Sequence, residues 1–106
     1  MTAATKIPVS VLIPAKNEEA NLPACLESVA QADEVFVVDS HSEDRSVEIS
    51  ESYGAQVVQF DFNGRWPKKK NWALANVPWK HEWVLIFDAD EHATPQLAQE
   101  IANVVT

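Results

Sequence analysis

Four short apolar runs recur along this chain: "VSVLIPA" (9–15), "EVFVVDS" (34–40), "AQVVQF" (55–60) and "EWVLIFD" (82–88). Each is rich in β-branched or aromatic residues, as strands are. Helix-like patterns lie between them. Strands alternating with helices imply right-handed crossovers, hence a parallel sheet with helices packed on its faces. The expected fold is therefore α/β, a Rossmann-like α/β/α sandwich of about four strands in a single domain over residues 1–106. The run at 82–88 is nearly all apolar, which predicts a strand buried on both faces.

The intervening segments carry helix signals. Leu22, Cys25, Leu26 and Val29 repeat at the spacing of one helix face. Asn21 is placed to cap that helix, and Pro23 is tolerated in its first turn. Pro14 should end the first strand. "HSEDRSVEISESYG" (41–54) has acids early and closes at Gly54, with Ser40 and Glu43 in the spacing of a capping box. "FNGRWP" reads as a loop and "KKKNWALANV" (68–77) as a short helix with a basic start. Thr94 and Pro95 open a last helix reaching about Val105.

Polar residues gather where such a sheet binds ligands, outside the carboxyl ends of its strands. "PAKNEE" (14–19) follows the first strand, "DSHSED" (39–44) the second and "DADE" (88–91) the fourth. Asp88, Asp90 and Glu91 crowd like charges that resist ionising side by side. A divalent cation would relieve them, because hard cations take oxygen ligands. One carboxylate of the Asp88–Asp90 pair could hold Mg²⁺ or Mn²⁺ and leave its other positions to phosphate oxygens and water. The only glycines, Gly54 and Gly64, do not follow the first strand. That removes both the dinucleotide fingerprint and the P-loop, so any bound phosphate depends on a cation.

Composition narrows the partners. A net charge of −8 argues against nucleic acid, whose phosphates require a basic face. Cys25 is the sole cysteine, which leaves no intrachain disulfide and fits a reducing compartment. No apolar run approaches the ~18–20 residues of a membrane span, and "MTAATKIP" is no signal peptide. A cytoplasmic domain is expected.

"VSVLIPAKNEEANLPACLESV", "DEVFVVDSHSEDRS" and "WVLIFDADE", in that order, resemble the nucleotide-binding half of family 2 glycosyltransferases of the inverting GT-A type. "PKKKNWALANV" is most similar to the bacterial subgroup that glycosylates lipopolysaccharide core and related glycolipids. The resemblance implies transfer from a nucleotide-diphosphate sugar, a UDP-sugar above all, to a glycan or glycolipid acceptor. It also implies that Asp39 bonds the base, that Asp88 lies near the ribose and that Asp90 sits on the metal. Pro14, Ala15, Lys16, Asn17 and Glu18 would lie along the nucleoside, with Lys70 and Asn71 near the base and phosphates. Family enzymes are more than twice as long, and their acceptor half carries the general base. The chain therefore resembles a donor half that is inactive alone, from an enzyme in peripheral contact with the inner face of the cytoplasmic membrane.

Each functional reading has a plainer competitor. Asp88 and Asp90 could form a solvated turn before the last helix, and Asp39 could merely cap the second. Lys68, Lys69 and Lys70 could be a solvated charge run. His92 stands beside the acids as a weaker ligand candidate than they are. Cys25 reads as core, Trp72 and Trp83 as packing residues, and Trp66 as a residue able to stack on a sugar or base. "DADEHAT" also approaches the D-x-D-x-[TV] pattern of haloacid-dehalogenase phosphatases, but His92 stands where Thr or Val belongs and the motif comes on the fourth strand. A nucleotidyltransferase would want a Gly-rich basic loop after the first strand. A non-catalytic nucleotide-binding or acidic interaction domain fits the composition but not the ordered strand-end acids.

Overall fold

A computed structural model of the chain describes residues 7–61, 69–77, 79–91 and 93–105. Its elements run β1 (Ile7–Ala15), α1 (Leu22–Ser28), β2 (Ala32–Asp39), α2 (Ser46–Ser52), β3 (Gln56–Gln59), α3 (Lys69–Asn76), β4 (Val84–Ile86) and α4 (Pro95–Val105). The strands form one sheet in the order β3-β2-β1-β4, and each neighbouring pair is parallel. The expected α/β architecture is what the alternation builds.

Alternation along β1 and β2 sends side chains into two cores. Val9, Val11, Ile13 and Ala15 of β1 join Val37 of β2 and Leu22, Cys25 and Leu26 of α1 on one face. Ile49 of α2 and Ile101 of α4 pack against that cluster. Leu12, Phe36 and Val38 point the other way, to Phe60, Ala73 and Val77, where Trp72 and Trp79 also pack. Phe36 meets Trp79 edge-on at 5.2 Å, and Phe60 meets Trp72 at the same centroid distance. Each fully buried Leu or Ile contributes about 1.5–3 kcal/mol of transfer free energy, so β1 is the spine of the domain.

Three local expectations change. The strand at 82–88 contracts to Val84–Ile86 and is an edge strand, so it is not buried on both faces. Ile86 is 41% exposed and Trp83, expected to pack, is 50% exposed. Trp83, Leu85, Leu97, Ile101 and Val104 instead line an open apolar groove. Apolar content alone could not distinguish a central from an edge position. The second helix begins at Ser46, not near His41, and residues 40–45 form a loop. The Ser40–Glu43 capping box is therefore absent, because Asp39 and Asn17 engage that loop instead. Asn21 occupies the N-cap position of α1 but makes no side-chain cap; its amide donates to Glu18 at 2.9 Å. Thr94 does cap α4, accepting the Leu97 N–H at 3.1 Å.

Candidate functional site

The carboxyl ends of β1, β2 and β4 open onto the same edge of the sheet because all three strands are parallel. β1 separates β2 from β4. Asp39 and Asp88 thus end strands two ladder spacings apart, roughly 10 Å.

The loops after β1 and β2 are tied together. Lys16 Nζ donates to the His41 carbonyl at 3.1 Å, and the Asn17 N–H donates to Ser42 Oγ at 2.8 Å. In return the Glu43 N–H donates to Asn17 Oδ1 at 2.8 Å. The Glu18 N–H donates to Ser46 Oγ at 2.8 Å and the Glu19 N–H to Asp44 Oδ2 at 3.1 Å. Burial opposes the charge of Asp44, yet hydrogen bonds from Ser46 and Glu19 outweigh it and hold that carboxyl below its ordinary range. Asn17 and His41 both adopt left-handed backbone, with φ of 53° and 49°. Non-glycine residues hold that region only where the surroundings over-determine it, and these cross-loop bonds do so.

Asp39 anchors the arrangement. It is fully buried, and its Oδ2 accepts the Ser42 N–H at 2.8 Å and Gln59 Nε2 at 3.0 Å. Its Oδ1 accepts the Ser42 hydroxyl. The direct base contact expected of Asp39 is thus covered in this structure, since Gln59 stands over it. Gln59 was missed in the sequence. Its place at the end of β3, paired with Asp39 in the ladder, emerges only from the register.

Of the remaining expected nucleotide contacts, Pro14 and Ala15 end β1. Ala15 is buried and its carbonyl accepts the Ser40 N–H at 3.1 Å, so its side chain belongs to the core. Lys16 and Asn17 are exposed and Glu18 is half-buried. Lys70 and Asn71 lie on α3, and their side chains fall outside the described residues. So do Trp66, Lys68 and His92.

The acidic segment is a tight turn. The Glu91 N–H donates to the Asp88 carbonyl at 2.8 Å, and Glu91 Oε1 accepts the Asp88 N–H at 2.7 Å. Glu91 is therefore occupied in holding the turn. Asp88 and Asp90 are exposed, while Ala89 between them is buried. No hydrogen bond or ion pair among the described residues engages the Asp90 carboxylate. Helix α1 holds this turn from below: the Ala93 N–H donates to Ser28 Oγ at 2.9 Å, and Cys25 Sγ lies 3.8 Å from the Asp88 carbonyl.

Burial, then the charges of Glu91, Asp90 and Asp88, push the Cys25 thiol up to about 11. A group raised this way costs stability as pH climbs toward that value, because the unfolded thiol ionises first. At pH 8 the native thiol should react with iodoacetamide about 100-fold more slowly than the urea-unfolded thiol, since thiolate is the nucleophile. Equal rates in the two states would place Cys25 elsewhere than beneath the acids.

Among the described residues no group of three or more His, Cys, Asp or Glu side chains is placed to hold a metal. One or two exposed carboxylates nonetheless suit a hard cation that draws its other ligands from a diphosphate and water. The donor chemistry at Asp88 and Asp90 fits that arrangement.

Residues 10–106 match glycosyl transferase family 2. The chain belongs to that family. This glycosyltransferase domain is 42% identical over 97 residues to an uncharacterized glycosyltransferase of Rickettsia bellii, an alignment covering 91% of the chain and 32% of the relative. It thus spans about a third of that relative's length. The structure is similar to that of S. aureus TarS 1-349 in complex with UDP, with a TM-score of 0.71 and 31% identity over 91% of this chain and 31% of the other. Glucosyl-3-phosphoglycerate synthase from Mycobacterium tuberculosis, bound to Mn²⁺, UDP and glucosyl-3-phosphoglycerate, matches with a TM-score of 0.63 and 28% identity. That match covers 79% of this chain and 35% of the other.

Proposed function

We propose that the domain binds the donor, a nucleotide-diphosphate sugar and above all a UDP-sugar, for inverting hexosyl transfer to a glycan or glycolipid acceptor. The observation that carries this is the convergence of three strand-end loops, 14–19, 39–46 and 88–91, on one sheet edge. Strand ends roughly 10 Å apart suit a base near β2 and a diphosphate near β4. The UDP bound by both structural relatives supports the same reading.

In this reading the loop from Pro14 to Glu18 runs along the nucleoside, Asp39 takes the base and Asp88 the ribose, and Lys70 and Asn71 approach the base and phosphates. Asp90 holds Mg²⁺ or Mn²⁺, which when bound neutralises charge on the leaving diphosphate. The cross-loop bonds keep the nucleoside loops in place before the ligand arrives, which reduces the ordering cost of binding. The general base and acceptor pocket come from outside these 106 residues, so the domain alone transfers no sugar. A basic α3 start resembling glycolipid enzymes supports a cytoplasmic protein working at the inner membrane face on lipopolysaccharide-type acceptors.

Calorimetric titration of UDP into the chain tests this, with Mn²⁺ in one cell and EDTA in the other. Binding is expected only with Mn²⁺, together with no release of free sugar from a UDP-hexose. Equal heats in EDTA would remove the cation from the reading, and family-like turnover would place the general base within the chain.

A further inference from the structure

We propose that Gln59 is a built-in stand-in for the nucleotide base, and that its displacement sets which bases the domain accepts. This rests on the reading that a base binds at the end of β2. The side-chain amide of Gln59 makes two hydrogen bonds of opposite sense there. Its Nε2 donates to Asp39 Oδ2 at 3.0 Å, and its Oε1 accepts the His41 N–H at 2.8 Å. A primary amide thus spans one acceptor and one donor with its C=O and N–H on the same side.

Uracil presents the same pair in the same relation, N3–H beside a carbonyl oxygen. Guanine does so too, through N1–H and O6. Cytosine and adenine, held in the same placement, set an acceptor nitrogen against the Asp39 carboxylate; they meet the pair only by shifting in plane, so that the amino group reaches Asp39 and the ring nitrogen faces the His41 N–H. The Asp39–His41 pair is therefore matched to a lactam edge, and Gln59 occupies it. Asp39 keeps its position without Gln59, because Ser42 holds both of its oxygens through the backbone N–H and the hydroxyl. Gln59 itself is exposed at the end of β3, so its side chain can rotate into water while the strand stays paired.

Displacement has a consequence for affinity. A site open only a fraction of the time binds with its intrinsic affinity multiplied by that fraction. Removing the amide should open the site permanently, and only for bases that satisfy the pair.

The test is calorimetry of UDP, GDP, CDP and ADP, each with Mn²⁺, against the native chain, Gln59→Ala and Gln59→Met. Methionine keeps the bulk of the side chain and removes both hydrogen bonds, so it guards against a loss of fold in the alanine variant. Gln59→Ala should bind UDP and GDP about fivefold more tightly than the native chain and leave CDP and ADP unchanged, and Gln59→Met should follow the same ranking with a smaller gain. In the native chain, UDP should shift the Gln59 side-chain amide resonance toward its position in free solvent. Native UDP binding that is unaltered in both variants would overturn the stand-in while leaving the donor-binding reading intact. An equal gain for all four nucleotides would overturn the base match. Absence of binding by any nucleotide to any form would overturn both.

Discussion

Asp39→Ala should lower the unfolding free energy by about 3 kcal/mol, a large loss for a single polar substitution. The carboxylate is fully buried and accepts bonds from the Ser42 N–H, the Ser42 hydroxyl and Gln59. Alanine leaves the Ser42 N–H and hydroxyl facing a cavity, and each unsatisfied buried group costs roughly 1–3 kcal/mol, whereas exposed Gln59 can turn to water. The loss propagates, because Ser42 Oγ also accepts the Asn17 N–H and so joins the loops after β1 and β2. Asp39→Asn should cost about half as much, since its oxygen can keep the Ser42 N–H and Gln59 Nε2 while its NH₂ faces the Ser42 hydroxyl, which must then turn its own hydrogen elsewhere. Urea titration checks both, with midpoints falling in the order native, Asn, Ala at an unchanged slope. A native midpoint in the alanine variant would mean that Asp39 does not anchor these loops.

Asp90→Asn should abolish most metal-dependent nucleotide binding while leaving the fold intact. The side chain is exposed and makes no hydrogen bond or ion pair among the described residues, so stability should change by less than about 0.5 kcal/mol. The variant removes a formal charge and a hard oxygen from the first shell of the proposed cation. UDP affinity in Mn²⁺ should fall at least about tenfold, or ~1.4 kcal/mol, toward the level measured in EDTA. Glu91→Gln offers a contrast: Glu91 bonds the backbone of its own turn at Asp88, so its effect should be on turn stability and only secondarily on affinity. Unchanged Mn²⁺ dependence in Asp90→Asn would assign the cation to another group and leave the acidic segment as a solvated turn ahead of α4.

These two acids show how differently the candidate site could be read in advance. Asp90 was legible as an exposed strand-end acid because its evidence is local: like charges crowded at a strand end stand out whatever surrounds them. Asp39 was legible as a strand-end acid but not as a buried one. Its burial depends on Gln59 and Ser42, which approach it through the β2–β3 register and the turn of the following loop. The Ser40–Glu43 spacing suggested a helix cap, yet the cross-loop bonds to Asn17 and Glu18 won because they satisfy more donors in a partly buried site.

Periodicity by itself determined the order of elements, the parallel sheet and the edge on which the strand-end acids gather, because strand and helix periods and crossover handedness are properties of local backbone geometry. It also marked Thr94 as a cap and Leu22, Cys25 and Leu26 as core. Tertiary structure alone decided that β4 lies at the sheet edge, that Trp83 and Ile86 are exposed, and that Gln59 covers Asp39. Each of these depends on which strand lies beside which and in what register. That choice is made by side chains far apart in the chain packing together, so no local window of residues contains it.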